Sequence, residues 1–288
     1  MSQTTSDLTK DYGARIEEAA AYIKQKLGKY APKIGLVLGS GLGDLGDQIE
    51  DAVYIPYNEV PHFPESTVAG HAGRFVIGQL EGKDVVIMQG RFHYYEGYDM
   101  RTVVLPVYVM AQIGVETLML TNAAGGMNRG FRAGDLMLIT DHLNMTGANP
   151  LIGPNDSKLG VRFPDMSAAY DPEYRALAKK LSKEIKGEDG THLELQEGVY
   201  CGISGPTYST PKESTMFALL GGDAIGMSTV GEVIAARHAG LRVLGISCIT
   251  DMAIGEELEP LTHEQVVAVA NRTKPKFIGL VRAFVREV

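Results

Sequence analysis

Arg91, His93 and Tyr95 stand at alternate positions in the segment Arg91-Phe92-His93-Tyr94-Tyr95-Glu96, and an extended chain turns all three to one side. A guanidinium fork and an imidazole suit phosphate oxygens, while a tyrosine face suits a sugar or a base. The same alternation also fits an exposed edge strand of mixed polarity. Gly39-Ser40-Gly41-Leu42-Gly43 directly follows the apolar run Ile34 to Leu38, so its amides could form a concave anion nest. His71 lies between glycines in Ala69-Gly70-His71-Ala72-Gly73-Arg74, where backbone can come close to a ligand or simply turn. Thr121-Asn122-Ala123-Ala124-Gly125-Gly126 offers small side chains after another apolar run, with Asn122 able to donate and accept. Tight packing is the alternative reading of that segment.

Three stretches carry helix-start chemistry. Thr210-Pro211-Lys212-Glu213, Thr229-Val230-Gly231-Glu232 and Thr262-His263-Glu264-Gln265 each have the capping-box spacing. Ligands in open α/β sheets collect at strand ends and helix N-termini, so the residues just before the first two caps, Gly205 to Ser209 and Gly226 to Ser228, are site candidates, as is His263 in the third helix's first turn. Ordinary surface caps would look the same. Other chemistries lack their marks: the Walker A ending is absent, and Asp44 stands where a dinucleotide fingerprint needs its third Gly or Ala. There is no His-Glu-x-x-His, no Gly-x-Ser-x-Gly and no metal-ligand cluster.

These residues need a scaffold, and the apolar pattern supplies one. Ile16, Ala19, Ala20, Ile23 and Leu27 follow helical spacing. Strand-length apolar runs recur at Ile34 to Leu38, Val85 to Met88, Thr117 to Thr121, Leu136 to Thr140, Gly198 to Ile203, Ala224 to Met227 and Arg242 to Ile249. Helix-length segments lie between several of them, at Arg101 to Ile113, Pro172 to Lys186, Pro211 to Leu220, Gly231 to Ala239 and His263 to Arg286. Such alternation predicts one α/β domain over residues 1–288, with a mostly parallel sheet covered on both faces and a flexible stretch at 1–10. The Gly- and Pro-rich loop from Asn149 to Pro164 is long enough to be functional and is expected to touch a neighbouring subunit.

Composition narrows the partners. The formal net charge of −8, from 27 Lys+Arg against 35 Asp+Glu, argues against nucleic acid or an anionic membrane, so an anionic ligand needs a local positive site. Cys201 and Cys248, both within apolar runs, build neither a disulfide framework nor a zinc site and suggest a reducing cytoplasm. No apolar run approaches the length of a membrane span. The 34 glycines are roughly 12% of the 288 residues, against a usual 7%, and they cluster at Gly39 to Gly43, Gly70 to Gly73 and Gly125 to Gly126, where backbone is expected to approach a ligand.

Taken together, LGSGLG at Leu38 to Gly43, GHAGR at Gly70 to Arg74, MQGRFHYYEGY at Met88 to Tyr98, TNAAGG at Thr121 to Gly126, RFPDMSAAYD at Arg162 to Asp171 and GMSTVGEVIAARHAGLRVLGIS at Gly226 to Ser247 closely resemble the trimeric family of purine nucleoside phosphorylases. The resemblance runs from about Ile16 to the C-terminus. It implies a mixed, partly barrel-like sheet flanked by helices, a homotrimer, and cleavage of purine nucleosides by phosphate to free base and ribose 1-phosphate. Phosphate is then a co-substrate, and no metal or organic cofactor is needed.

By the same resemblance, phosphate would meet Ser40, His71, Arg91, His93, Asn122, Ala123 and Ser228, with Glu96 holding His93. Ribose would meet Tyr95, Met227 and His263, the last at its 5′-hydroxyl. The base would meet Tyr208, Ser209, Thr250, Asp251 and Val266, and Asp251, His93 and Glu96 are the expected catalytic group. Two positions depart from the 6-oxopurine-specific members: Ser209 replaces a Glu and Asp251 an Asn, as in the related 5′-methylthioadenosine phosphorylases. A carboxylate repels O6 but can accept from a 6-amino group, and when protonated it can donate to N7. Met227 and His263 keep the pattern for a free 5′-hydroxyl, so acceptance of adenosine is expected. The alternatives are strict inosine and guanosine phosphorolysis, 5′-methylthioadenosine phosphorolysis, and a silent nucleoside- or phosphate-binding protein. A third departure is Leu159, in place of a Phe that crosses to the neighbouring ribose in mammalian relatives.

Overall fold

The computed structural model describes residues 5–39, 42–67, 72–187 and 190–288, with side chains from Tyr12 onward. Helix α1 (Thr5–Lys26) precedes strand β1 (Ile34–Leu38), and β2 (Glu50–Pro56), β3 (Arg74–Leu80) and β4 (Lys83–Gln89) follow. Then come α2 (Met100–Gln112), β5 (Thr117–Gly126), β6 (Leu136–Met145), α3 (Pro172–Ser182), β7 (Leu195–Ile203), α4 (Pro211–Leu219), β8 (Ala224–Gly226), α5 (Val230–His238), β9 (Arg242–Met252) and α6 (His263–Glu287). The expected strands and helices are all present. Strands β2 and β3 were not foreseen: β2 is an edge strand of exposed and half-buried residues around one buried Ile55, with a terminal proline, and Gly78 interrupts the apolar run of β3. That glycine is required, because a Cβ there would sit 2.6 Å from Ile49 and 2.7 Å from the Glu50 carbonyl.

Among the described residues the sheet runs β2-β3-β4-β1-β5-β8-β7-β6-β9, and β9 pairs back onto β5. The last five strands therefore close into a barrel while β2, β3, β4 and β1 form an open wing. The expectation of a mostly parallel sheet is corrected: β1 pairs in parallel with β4 and β5, but β2–β3, β3–β4, β5–β8 and β6–β9 are antiparallel. Within the barrel the two reversals, β5–β8 and β6–β9, let β9 return in parallel onto β5 and leave no edge, while β2–β3 and β3–β4 are antiparallel pairs of the open wing. The mixed, partly barrel-like sheet implied by the family resemblance is the observed one.

Both faces are covered, as side-chain alternation requires. Val37, Val86, Leu118, Leu120 and Val243 pack towards α1, α2 and α5. Their neighbours Leu36, Ile87, Met119, Leu244 and Ile246 pack in the other core with residues of α3 and α6, including Leu181, Phe277 and Phe284. Burying each such side chain is worth about 1.5–3 kcal/mol, so the two cores hold the strand ends in fixed register.

The loop from Asn149 to Pro164 contains neither helix nor strand. Its Leu159 packs against its own chain's core, and the side-chain Oδ1 of Asn155 lies 3.2 Å from His238 Nε2. Phe163 is 85% exposed, and Ile152 and Val161 are exposed with it.

Candidate active site

A cavity of about 990 Å³ opens at the carboxyl ends of β1, β5, β8 and β9, where strand-end amides and helix N-termini gather. It draws together Arg91, His93, Tyr95, Asn122, Ala123, Tyr208, Ser209, Met227, Ser228, Thr250, Asp251, His263 and Val266, all predicted from sequence. Ser40 and His71 lie outside the described residues. Glu96 stands behind His93, with its side chain 1% exposed.

At one end, Arg91 is buried, 2% exposed, and its orientation differs from an open phosphate fork. Nε and Nη2 donate to the two Glu232 oxygens at 3.0 and 2.9 Å, and Nη1 donates to the Thr121 carbonyl at 2.6 Å. Arg91, His93 and Tyr95 do reach the same cavity, but by a coil and a 3₁₀ turn over Tyr94–Glu96 instead of an extended strand. Glu96 makes that turn rigid. Its Oε1 accepts the His93 backbone N–H at 2.7 Å and lies 3.2 Å from Nδ1, while Oε2 accepts the Thr67 N–H and hydroxyl. Burial pushes Glu96 up, but the hydrogen bonds from His93 and Thr67 prevail and hold it at about 2. The His93 and Tyr95 rings stack 4.8 Å apart, and burial, followed by the Glu96 charge, raises Tyr95 to about 12.

The segment 121–126 continues strand β5 beyond the apolar run that ends at Thr121, so the tight packing read as the alternative for TNAAGG is present. Gly126 packs onto β9, where a Cβ would meet Ile249 at 2.9 Å, and a Cβ on Gly125 would meet Ala253 and Asp251 at 3.0 Å. Both glycines serve strand packing, and Gly125 also lines the cavity. Gly39 similarly lets β1 end against β5, 2.6 Å from the Thr121 carbonyl if it carried a Cβ, although it does line the cavity. Asn122 donates through Nδ2 to Thr229 Oγ1 at 2.9 Å, and its buried Oδ1 has no protein partner.

The turn from β8 to α5 presents Met227 and Ser228. Thr229 has φ 73° and ψ −51°, and the Val230 N–H donates to the Ser228 carbonyl at 2.8 Å, which makes a γ-turn that a β-branched residue rarely adopts. Three features hold it. The Thr229 N–H donates to Glu232 Oε2 at 2.9 Å, its hydroxyl lies 3.0 Å from Ser228 Oγ, and the Ser228 N–H donates to the buried Tyr200 hydroxyl at 3.3 Å. A Cβ on Gly226 would collide with that same Tyr200, and one on Gly205 with the Met227 sulfur. Sequence reasoning missed Tyr200 and Glu232. The capping-box spacing signals Glu232 only as a cap, and nothing local marks Tyr200.

At the other end, the register of β5 on β9 shifts between Ala124 and Gly125, so Ile249 and Asp251 pair with successive β5 residues and Thr250 is bulged. A bulge re-aims the side chains beside it, and Thr250 and Asp251 both line the cavity. Thr250 donates its hydroxyl to Asp251 Oδ1 at 2.8 Å. Burial raises Asp251 from its ordinary value, with the Thr250 hydrogen bond opposing. Ser209 Oγ is buried without a protein partner. Tyr208 precedes the α4 cap, where Glu213 and Thr210 exchange hydrogen bonds; burial and the charges of Asp251 and Glu264 raise its phenol. His263 opens α6 behind the Thr262–Gln265 box, and Val266, one turn on, adds an apolar wall.

No group of three or more His, Cys, Asp or Glu residues fit for a metal occurs among the described residues. Burial raises Cys201 to about 12 and Cys248 to about 11, which leaves both thiols unreactive. No described helix is long and apolar enough to cross a membrane.

The model of the phosphorylase superfamily matches residues 33–286. A purine nucleoside phosphorylase 1 of Geobacillus stearothermophilus is 56% identical over 95% of this chain and 97% of its own. Among solved structures, isoform 2 of purine nucleoside phosphorylase from Schistosoma mansoni, in complex with cytosine and ribose-1-phosphate, superposes with a TM-score of 0.89 at 42% identity, covering 96% of each chain. A Schistosoma mansoni purine nucleoside phosphorylase in complex with adenosine gives 0.86 at 40%, over 95% of this chain and 96% of that one. With its cavity at the carboxyl ends of a part-closed mixed sheet, the chain belongs to the purine nucleoside phosphorylase family within the phosphorylase superfamily.

Proposed function

We propose that this chain catalyses reversible phosphorolysis of purine nucleosides, giving free base and ribose 1-phosphate, and that it accepts 6-aminopurine nucleosides such as adenosine. One observation carries the second half of the reading. The carboxyl at the base end, Asp251, is buried and held by Thr250, with the unpartnered Ser209 hydroxyl lining the same cavity. An ionised Asp251 accepts from a 6-amino group; protonated, as burial favours, it donates to purine N7.

In this reading phosphate occupies the end formed by Arg91, His93, Asn122, Ala123 and Ser228, and the family resemblance adds Ser40 and His71 as contacts. Ribose lies against Tyr95 and Met227 with its 5′-hydroxyl at His263, and the base rests on Tyr208 beside Val266. The bond from C1′ to N9 lengthens first, and its electron pair passes to the purine. Asp251 gives N7 a proton or a hydrogen bond as that charge develops. A phosphate oxygen then bonds to C1′ of the cationic sugar. Positioning and fixed dipoles supply most of the rate gain, because the groups are already oriented before reaction. Glu96 acts through His93, which it holds at both the backbone and the ring.

A homotrimer in a reducing cytoplasm completes the proposal. The exposed Ile152, Val161 and Phe163 on the 149–164 loop fit a subunit contact, and the two buried free thiols fit the compartment.

The test is base release from inosine, guanosine, adenosine and 5′-methylthioadenosine, with and without phosphate. Phosphate-dependent adenosine cleavage supports the full reading. Turnover of inosine and guanosine alone removes the specificity claim, and preference for 5′-methylthioadenosine moves the substrate to that class. Binding without any turnover identifies a silent nucleoside-binding protein.

A further inference from the structure

Glu232 does not line the cavity, yet three N–H donors from its phosphate end, two of Arg91 and one of Thr229, meet on this one carboxylate. Its side chain is 5% exposed. Oε1 takes the Arg91 Nε–H, and Oε2 takes both the Arg91 Nη2–H and the Thr229 N–H. Arg91 also reaches the end of β5 through the Thr121 carbonyl, next to Asn122. Thr229 in turn receives the Asn122 amide on its hydroxyl and orients Ser228 through the γ-turn.

Two physical consequences follow. A guanidinium gripped on two edges cannot rotate, so Arg91 works through the fixed direction of its N–H bonds. The pair is also neutral overall, so Arg91 adds little net positive charge to the cavity. A positive-φ threonine, moreover, persists only where its surroundings over-determine it, and the Glu232 hydrogen bond to its N–H is one of the few contacts that do so.

We infer that Glu232 is a positioning residue for phosphate: it sets the plane of Arg91 and the γ-turn at Thr229 together, so that the donors of the anion site are arranged before phosphate arrives. This inference rests on the proposed placement of phosphate at that end. The buried ion pair is then kept for geometry, since such pairs often add little to stability.

Glu232→Gln keeps the volume but turns an amide N–H towards one of three donors. Glu232→Asp keeps the charge opposite Arg91, so no buried cation is left unpaired, but withdraws the carboxylate by one methylene. In both variants the KM for phosphate is expected to rise at least tenfold, with the KM for nucleoside within about twofold of wild type. Saturating phosphate should also raise the melting temperature less than it does in wild type. Should Glu232→Gln not fold, Glu232→Asp decides alone. A folded Glu232→Asp with unchanged phosphate KM, or with both KM values rising in parallel, overturns the inference. Ser228→Ala and Asn122→Ala serve as controls: if they leave the phosphate KM unchanged, the phosphate placement itself is wrong. If they raise it while Glu232→Asp does not, only the role of Glu232 fails.

Discussion

The Thr250 hydroxyl donates to Asp251 Oδ1 at 2.8 Å, between neighbours in sequence that a β-bulge on β9 brings to the same cavity. The hydrogen bond fixes the carboxyl group that the base edge would meet. Asp251→Asn combined with Ser209→Glu exchanges an acceptor for a donor and adds an acceptor for N1–H. The ratio of kcat/KM for inosine over adenosine should rise by about 100-fold, the scale of two exchanged base-edge hydrogen bonds. Steady-state assays on both nucleosides measure it, and an unchanged ratio means that other residues choose the base.

Asp251 also makes a prediction about stability. Burial raises its folded-state pKa above the ordinary 3.8, so the folded protein prefers the protonated form. Its favourable contribution is complete below pH 3.8 and is lost as pH rises through the raised value. Asp251→Asn removes this penalty and still offers Thr250 an acceptor. Its melting temperature should exceed that of wild type at pH 7, with the gap shrinking as pH falls towards 3.8; a constant gap would contradict the burial argument.

Glu96 behaves in the opposite sense. Held at about 2 against an ordinary 4.5, its contribution is complete above pH 4.5 and disappears as pH falls through about 2. Glu96→Gln should lower stability at pH 7 by about 1.5–3 kcal/mol, the range for hydrogen bonds to a charged group. Denaturant melts at pH 7 and at lower pH would show the difference closing. A loosened His93 should also lower turnover, and full activity in a destabilised variant would separate Glu96 from the site's function.

His263 sits in the first turn of α6 with its side chain exposed at the cavity. His263→Ala should lower kcat/KM about tenfold for nucleosides with a 5′-hydroxyl, the value of one hydrogen bond to the substrate, and leave 5′-deoxy analogues unchanged. An equal loss on both would show that the imidazole shapes the cavity instead of reading the 5′-group.

Much of this scaffold was legible locally. Strand β1 occupies the predicted Ile34 to Leu38, and the Thr210 and Thr262 boxes form as their spacing implied. Strand β2 was hidden because its mixed residues, partly exposed at the sheet edge, lack a clean alternation of apolar and polar types. The segment at Gly125 and Gly126 reads as a loop because glycine disfavours strands; only the closeness of β9 explains why glycine is needed there.

The residue types and their order determined the α/β class, the helix starts and the chemistry available at each cavity position, because periodicity, capping and side-chain pKa are properties of a few adjacent residues. The tertiary structure alone decided that Arg91 faces Glu232, 141 positions away, that β9 closes a barrel onto β5, and that a bulge aims Asp251 inward. Such pairings depend on where distant strands end. A guanidinium's role is set by the carboxylate that folding brings to it: by sequence Arg91 is a cation for phosphate, and in the fold it is half of a neutral, rigid pair.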